Sequence, residues 1–286
     1  MDYTASVSKI PKKGETVLSD SCAVFCGGKG ANQAVAAAKL GGTVAMIGRL
    51  GKDESGQILK QNLQKYDINT THVLEKEGNS AMAFIWVHGG DNRIVVSSEA
   101  NQKFEKYEID EALKDANKGD ILVAQCEIPP AIIEYAFCLA KQKQMTTILN
   151  PAPAIDLSSL IYKKTDLIVP NETETALLTN VNPIDIVHVA LAVKKFYEFG
   201  VKKVVISLGK RGLIFAEGQN ITELPANKIK AIDTTAAGDT IVGAIAAKLS
   251  MGESLQKACE FAKKAAEITI TRKGASNSIP YLNEIV

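Results

Sequence analysis

A short stretch in the last quarter of the chain could bind an anion through its backbone. The small residues Ala236, Ala237 and Gly238 precede 241–249, a run rich in helix-forming residues. They are therefore predicted to lie at the N-terminus of a helix. The first N–H groups of a helix lack intrahelical partners and, with the helix dipole behind them, attract anions such as phosphate.

Asp239 places a carboxylate directly beside this anion site. It could be the N-cap residue of the helix, or it could be a catalytic base. A base beside an anion-binding turn suits phosphoryl transfer to an alcohol, because that reaction needs both charge neutralisation and removal of a proton. The preceding run 228–232 is predicted to be a short strand that leads into the turn.

A second candidate site is the glycine-rich loop 27–30, which precedes a helix predicted over 31–40. It is not a Walker A loop, because Gly30 follows Lys29 where Ser or Thr is required, and its glycine spacing does not match the dinucleotide fingerprint. One interpretation is a flexible turn before the helix. The other is a loop whose backbone, together with Asn32, holds sugar hydroxyls, because an amide side chain both donates and accepts hydrogen bonds.

The composition narrows the class of protein. The chain has 286 residues and a net charge of +1, so bulk electrostatics indicate neither a nucleic acid nor a membrane partner. No apolar run has the length of a membrane span, and no signal peptide is recognisable. The five cysteines form no C-x-x-C pair and no zinc-ligand spacing, which is typical of free thiols in a reducing cytoplasm.

From residue 120 onward, predicted strands alternate with predicted helices. This alternation indicates an α/β fold with a doubly wound, mostly parallel sheet flanked by helices. Active groups in such folds lie at the carboxyl ends of strands. Six polar residues follow predicted strands directly: Glu127, Asn150, Asn171, Glu174, Ser207 and Asp239.

A smaller sheet is predicted from a different pattern. Strands at 81–87 and 93–97 have no helix between them, so they are expected to be antiparallel and joined by a turn over 88–92. Residues of about 3–24 could complete the sheet. No linker or repeat divides the chain, so 1–286 is predicted to be a single domain in which about 3–24 and 80–98 form a small antiparallel sheet.

Four ordered stretches resemble signatures of one protein family. The stretch 233–240 resembles the C-terminal signature of the ribokinase family, the phosphofructokinase-B-type carbohydrate kinases, and 27–34 resembles its N-terminal sugar-binding signature. The stretches 150–154 and 170–174 match two further family motifs in the right order. The resemblance runs from Met1 to about Pro280, so it covers nearly the whole chain.

The resemblance implies site residues for the sugar and for catalysis. Asp239 would be the base for the sugar hydroxyl, and the backbone of Ala236, Ala237 and Gly238 would stabilise charge on the phosphoryl group. The sugar would be bound by Asp2, Gly28, Lys29, Gly30, Asn32, Glu127 and Asp239. For Glu127, a solvated carboxylate at a strand end is the alternative.

The resemblance also implies sites for ATP, Mg²⁺ and K⁺. The nucleotide would be bound by Asn171, Ser207, Leu208, Gly209, Lys210, Arg211, Gly212, Gly238 and Lys263, with an ordinary turn at 207–212 as the alternative. Glu174 would organise Mg²⁺ through water, or form a capping box with Asn171. An activating K⁺ would be held at Asp233, Thr235, Thr269, Arg272, Gly274 and Ser278, although Asp233 could instead simply form a turn.

The implied activity is ATP-dependent phosphorylation of the 5-hydroxyl of D-ribose by a cytoplasmic homodimer. The small sheet would act as a lid over the sugar and as the dimer surface. One alternative keeps the chemistry and changes the acceptor to deoxyribose, another sugar or a nucleoside. An alternative of another class is an inactive sugar- or nucleotide-binding protein.

Two departures from the family pattern bear on these expectations. Family members begin with an apolar core strand, whereas Met1-Asp2 matches the end of that strand, so we expect the strand to precede Met1. Without it, the sheet would expose backbone edges and apolar surface at a large cost. In addition, Glu99 stands where the family has glycine, which affects the expected geometry of the lid.

Overall fold

The centre of the molecule is a six-stranded sheet. The computed structural model describes residues 1–89 and 91–285, without the side chains of residues 91 and 92. The strand order is β12-β11-β10-β9-β8-β7, and β7 to β10 run parallel while β11 and β12 are antiparallel. The strands are β7 (Ile121–Gln125), β8 (Thr146–Asn150), β9 (Leu167–Ile168), β10 (Lys203–Ser207), β11 (Leu213–Glu217) and β12 (Asn220–Leu224).

Nine α-helices lie in the described part of the chain, and several of them cover both faces of this sheet. They are α1 (Lys29–Lys39), α2 (Glu54–Gln64), α3 (Lys106–Ala112), α4 (Pro130–Gln142), α5 (Ser159–Lys163), α6 (Glu172–Thr179), α7 (Ile186–Phe199), α8 (Ala237–Ser250) and α9 (Leu255–Thr269). On one face Val205 packs with residues of α8 and α9. On the other face its neighbours Val204 and Ile206 pack with residues of α4, α5 and α7. This alternation, with both faces buried, confirms the predicted doubly wound α/β fold.

The small sheet has the order β2-β1-β5-β6. Its strands are β1 (Asp2–Val7), β2 (Ser19–Phe25), β5 (Met82–His88) and β6 (Asp91–Ser97). The strands β5 and β6 are antiparallel, as expected, and so are β1 and β2. The sheet as a whole is mixed, because β1 and β5 pair in parallel through a long connection that includes α1. Gly90, in the expected turn over 88–92, lies outside the described residues.

The two faces of the small sheet have different surroundings, and the strand register shows which residues lie on each face. Asp2, Ala83 and Val96 are cross-strand partners in one row, and all three line the large cavity of the protein. The neighbouring row, Val24-Tyr3-Phe84-Val95, points to the opposite face because successive residues of a strand alternate sides. We call this second row the outer row. It is apolar and largely exposed: Val24 at 54%, Phe84 at 43% and Val95 at 58%.

A gap separates the main sheet from a third, two-stranded sheet. The strands β3 (Ala45–Gly51) and β4 (Asn69–Lys76) are parallel to each other. Within the described residues no strand pairs with the free edge of β3 or of β7. A cavity of about 920 Å³ is lined by both strands, and Met1 and Asp2 also line it. The strands β3 and β7 thus both face this cavity.

A close crossing of α1 and α8 joins the two regions that carry the candidate site. A Cβ atom on Gly243 would lie 2.5 Å from both the Ala36 Cβ atom and the Gln33 carbonyl oxygen. Only glycine fits at this point, so the two helix backbones are held in direct contact.

The strand predicted over 228–232 is wrong. This segment is irregular, although the N–H groups of Ile232 and Asp233 both bond to the carbonyl of Ile270, at 2.7 and 3.2 Å. Apolar and basic residues alternate in this segment, which suggested a strand. The segment instead lies on the protein surface, where Ile232 is 59% exposed.

Candidate active site

The N-terminus of α8 forms the predicted anion-binding turn. Ala236 is the N-cap residue, with φ 59°, and no side chain caps the helix. The Ala237 N–H group bonds to the Thr234 carbonyl at 3.2 Å. Among the described residues, the N–H groups of Gly238 and Asp239 have no backbone acceptor. A Cβ atom on Gly238 would meet nothing within 4 Å, so an anion could approach this backbone closely.

Asp239 is the third residue of α8, so the N-cap interpretation of this residue is wrong. Its carboxylate accepts two side-chain hydrogen bonds from α1 instead of capping its own helix. Asn32 Nδ2 donates to Oδ2 and Gln33 Nε2 donates to Oδ1, each at 3.0 Å. Burial raises the pKa of Asp239, while the Lys29 charge and the two hydrogen bonds act in the opposite direction.

The glycine loop before α1 brings two further carboxylates to the same place. The Lys29 N–H group donates to Glu127 Oε2 at 2.8 Å. A Cβ atom on Gly27 would lie 2.0 Å from Asp2 Oδ2, so the loop can meet Asp2 only with glycine there. Gly28, with φ 96°, is the N-cap residue of α1. The structure thus places Asp2, Glu127 and Asn32 around Asp239.

The electrostatics of this cluster are unusual. Burial raises the pKa of Glu127 and that of Asp2, and each is raised further by the charge of Asp239. Lys29 acts against these shifts in all three carboxyls. Several acceptors and a few donors around one space suit a ligand with many hydroxyl groups, which can donate to each carboxylate.

The predicted nucleotide loop follows β10 in the main sheet. Ser207 forms a parallel bridge with Asn171, so the two positions lie side by side. A Cβ atom on Gly212 (φ 97°) would lie 2.1 Å from the Leu224 carbonyl oxygen, which explains the glycine. Arg211 points away from the cleft, because its guanidinium pairs with Glu172 at 2.6 Å.

Other members of the predicted nucleotide set are also engaged within the protein. Leu208 is buried, and Gly209 begins a short 3₁₀ helix that includes Lys210 and Arg211. Lys263 Nζ donates to the Pro225 carbonyl at 2.8 Å. The loop can therefore offer a nucleotide mainly its backbone and the exposed Lys210 side chain.

Glu174 forms the capping box that was its alternative interpretation. The Asn171 N–H group donates to Oε2 at 2.8 Å, Asn171 Nδ2 donates to Oε1 at 2.9 Å, and the Glu174 N–H group donates back to Asn171 Oδ1. Burial raises the pKa of Glu174. Among the described residues no group of three His, Cys, Asp or Glu side chains could hold a metal ion. A role with Mg²⁺ would therefore act through water, with ATP as the main ligand.

The residues predicted to hold K⁺ come together from two parts of the chain. Asp233 Oδ1 accepts from the Thr235 N–H group at 2.9 Å, which is the turn-forming alternative, and Oδ2 accepts from the Gly274 N–H group at 3.0 Å. The side chains of three others are engaged elsewhere: Thr269 with Ala265, Arg272 with Glu284 and Ser278 with Ala275. K⁺ accepts oxygen ligands, so backbone carbonyls of this loop fit such a role.

Sequence reasoning assigned no role to three amide residues near Asp239: Gln33 bonds to it directly, and Asn150 and Gln125 bond to Gln33. Gln33 lies in the glycine motif, Asn150 was noted only as a strand-end residue, and Gln125 ends β7. The sequence feature that could have identified them is an amide side chain at or near the end of a predicted strand or helix, a position where a buried residue is usually apolar. The periodicity could not show that the three amides contact one another.

Comparisons with known proteins identify a matching family, similar sequences and similar solved structures. The family described as "pfkB family carbohydrate kinase" matches residues 1–282. The ribokinase of Haemophilus influenzae is 37% identical over 285 residues, covering 99% of this chain and 93% of the relative. The deoxyribokinase of Salmonella typhi is 32% identical, covering 99% of this chain and 94% of that protein. The structure of Arabidopsis thaliana ribokinase complexed with ribose and ATP has a TM-score of 0.91 and 28% identity, covering 99% and 94% of the two chains.

The chain therefore belongs to the pfkB family of carbohydrate kinases. In the part of the chain that the structure describes, no helix has the length and apolar character needed to cross a membrane.

Proposed function

We propose that the protein is a ribokinase that transfers the γ-phosphoryl group of ATP to the 5-hydroxyl of D-ribose. The observation that carries the proposal is the position of Asp239: a carboxylate held by Asn32 and Gln33, next to the unpartnered N–H groups at the start of α8. The similarity to ribokinases, one of them solved with ribose and ATP, supports ribose as the acceptor.

The proposed reaction uses the residues of the cleft as follows. Asp2, Asn32 and Glu127 bind the sugar hydroxyls and direct one of them at Asp239. As the hydroxyl oxygen bonds to the γ-phosphorus, its proton passes to Asp239 and the bond to the bridging oxygen of ADP breaks. Because the Ala237 N–H group is bonded to the Thr234 carbonyl, we move the anion hole from the predicted Ala236, Ala237 and Gly238 to Gly238 and Asp239, whose N–H groups donate to the oxygens of the phosphoryl group in transfer.

Two metal ions belong to the proposal. Bound Mg²⁺ would neutralise phosphate charge, and Glu174 would hold it through water. K⁺ at the Asp233–Gly274 contact would steady the turn that precedes α8. Among the described residues, Asp233, Thr235 and backbone carbonyls are the groups that we expect to hold it, because the side chains of the other predicted ligands Thr269, Arg272 and Ser278 bond to Ala265, Glu284 and Ala275.

The test is coupled ADP release from the purified protein with Mg-ATP, K⁺ and a panel of acceptors. We expect the highest kcat/KM with D-ribose. Because the chain is similar to a deoxyribokinase, 2-deoxyribose is the main alternative acceptor. A higher kcat/KM with 2-deoxyribose would change the proposed substrate but not the proposed role of Asp239 as base. Turnover only with other sugars or nucleosides would contradict the ribose assignment. Binding of sugar and ATP without turnover would favour a binding protein.

We also propose that an extended apolar strand joined to Met1 fills the gap between β3 and β7. Both strands present a free parallel edge to the cavity, and Met1 lies at its margin, where its amino group donates to the Ala81 carbonyl at 2.8 Å. A version with about six apolar residues added before Met1 should have a higher Tm than a version with an equally long Gly/Ser extension. Assaying both versions separates a missing strand from a wrong kinase assignment.

We propose a homodimer in the cytoplasm, formed through the outer row of the small sheet. The inner face carries Asp2 and lines the cavity, which favours the outer row as the surface for a second copy. Exposed apolar rows of this kind mark association surfaces, and a two-fold axis would pair the row with itself. The cytoplasmic assignment rests on the five unpaired cysteines.

A further inference from the structure

Gln33 connects the candidate base to the interior of the sheet. It is only 3% exposed, and its amide makes three hydrogen bonds. Nε2 donates to Asp239 Oδ1 and to Asn150 Oδ1, both at 3.0 Å, and Oε1 accepts from Gln125 Nε2 at 2.5 Å. Both N–H groups and the oxygen of this amide are therefore used within the protein.

A backbone carbonyl at the far end determines the direction of these bonds. Asn150 Nδ2 donates to the Val169 carbonyl at 2.8 Å, and a carbonyl can only accept. Asn150 must therefore turn its oxygen toward Gln33, which in turn must present its NH₂ group. The same NH₂ group then has one N–H left for Asp239. We call the sequence Val169–Asn150–Gln33 the amide relay.

We propose that the amide relay orients the Asp239 carboxylate and favours its ionised form, which makes Gln33 a positioning residue for phosphoryl transfer. The inference rests on the proposed role of Asp239 as base. The relay differs from the Asn32 contact in one respect: Asn32 is also a proposed sugar ligand, whereas Gln33 is buried and both of its N–H groups are already donated within the protein.

The relay acts against the surrounding charges. Asp2, Glu127 and Glu174 each interact repulsively with ionised Asp239, and Lys29 is the positive group that faces it. A hydrogen bond donated to a carboxylate favours the charged form. The carboxylate needs this support, because a base that is protonated at working pH cannot accept the proton of the sugar.

The experiment measures the pH dependence of kcat/KM for the sugar. In Gln33→Met, which keeps the side-chain length and removes the donor, the acid limb should move up by about one pH unit while the KM for ATP stays constant. Asn150→Leu should move the limb in the same direction by less. Gln61→Met changes an exposed glutamine of α2 and should leave the profile unchanged. An acid limb of Gln33→Met that coincides with the wild type would overturn the proposal.

A second measurement does not depend on turnover. Carboxyl ¹³C NMR follows the titration of Asp239 directly, assigned by its loss in Asp239→Asn. We expect the Asp239 titration to move upward in Gln33→Met, and further upward in the isosteric Gln33→Glu, which adds a negative charge. An upward shift in a protein that phosphorylates no sugar would support the relay while contradicting the kinase proposal. An unchanged titration in both variants would contradict the relay whether or not the enzyme is active.

Discussion

At the scale of single residues, Asp239 is the position on which the proposed chemistry depends. Both of its carboxylate oxygens are held by α1 at 3.0 Å, so its orientation does not depend on a bound substrate. We expect Asp239→Asn to lower kcat by about 10²–10⁴-fold, because general base catalysis contributes on this order. The coupled ADP-release assay at saturating ribose and ATP measures this loss.

ATP binding provides the control for Asp239→Asn. The substitution removes a charge from the sugar side of the cleft and leaves the loop after β10 unchanged. Calorimetric titration with ATP should therefore give a Kd close to that of the wild type. A variant that retains normal kcat would exclude Asp239 as the base, and one that loses ATP binding would point to a structural defect.

Glu127 gives a prediction on stability and pH. Burial raises its pKa, so the folded state holds the carboxyl proton more tightly than the unfolded chain does. At a pH above the pKa of Glu127 in the folded protein, the ionised carboxylate therefore lowers the free energy of unfolding. This destabilisation disappears as the pH falls to the pKa of the unfolded chain, ~4.3. Glu127→Gln should raise Tm by roughly 2–4 °C at pH 7 and by little at pH 4.

Thermal melts of Glu127→Gln and the wild type at pH 7 and at pH 4 test whether the ionised carboxylate is destabilising. The KM for the sugar should rise in the same variant, since a proposed sugar acceptor has become an amide. Glu77→Gln, at an exposed ion pair with Lys52, is the matched control and should not gain stability at pH 7. A Glu127→Gln variant that is less stable than the wild type at pH 7 would show that the carboxylate is stabilising.

The sequence identified most single residues of the site, but not their partners. Asn32, Glu127 and Asp239 lie close together because each follows a strand or begins a helix at the same end of the main sheet, whereas Asp2 joins them from the first residue of β1 in the small sheet. The contacts of Gln33 with Asn150 and Asp239 join positions 117 and 206 residues apart. No local pattern encodes such contacts, since they result from how α1, β8 and α8 pack.

At the scale of elements, the turn that carries Glu99 is strained. Its φ is 36°, in the left-handed region where a Cβ atom is unfavourable and where the family pattern has glycine. Glu99→Gly should raise the free energy of unfolding by about 0.5–1 kcal/mol, because relief of backbone strain exceeds the entropy that glycine adds to the unfolded chain.

Chemical denaturation measures the effect of Glu99→Gly, and Glu99→Ala separates its two causes. The alanine variant removes the Ser97–Glu99 hydrogen bond (2.8 Å) but keeps the Cβ atom, so we expect no gain in stability. Equal stabilisation by alanine and glycine would locate the effect in the carboxylate rather than in the backbone.

The elements themselves were predictable where periodicity and packing agree. The alternation predicted from residue 120 onward is present as β7, α4, β8, α7 and β10, which pack apolar side chains against one another. The segment 228–232 also has the pattern of a strand, but among the described residues no strand pairs with it. A strand is defined by its partner, and the sequence of the segment alone does not contain that partner.

At the scale of the whole molecule, the outer row predicts the oligomeric state. Val95→Glu places a charge at the β6 end of this row, beside its cross-strand partner Phe84, and should convert the proposed dimer to a monomer. Sedimentation velocity at micromolar concentration measures the change. Val95 faces away from the cavity. The rate of ADP release per subunit should therefore fall proportionally less than the fraction of protein that sediments as dimer.

Leu177→Glu is the control for the dimer prediction. Leu177 is 64% exposed on α6, away from the small sheet, so this variant should sediment like the wild type. A wild-type protein that sediments as a monomer at all concentrations would contradict the proposed homodimer, and a Val95→Glu variant that stays dimeric would place the contact on another surface.

The glycine contact between α1 and α8 has a consequence for how this enzyme could change over evolution. Gly243 fixes the helix that carries Asp239 against the helix that carries Asn32 and Gln33. Most of the groups that we propose to contact the substrate near the base therefore belong to one rigid body. Asp2 and Glu99 belong to the small sheet or its margin, outside that body. Preference for a new acceptor is thus most accessible through substitutions in the small sheet, which can accumulate without disturbing the phosphoryl-transfer geometry.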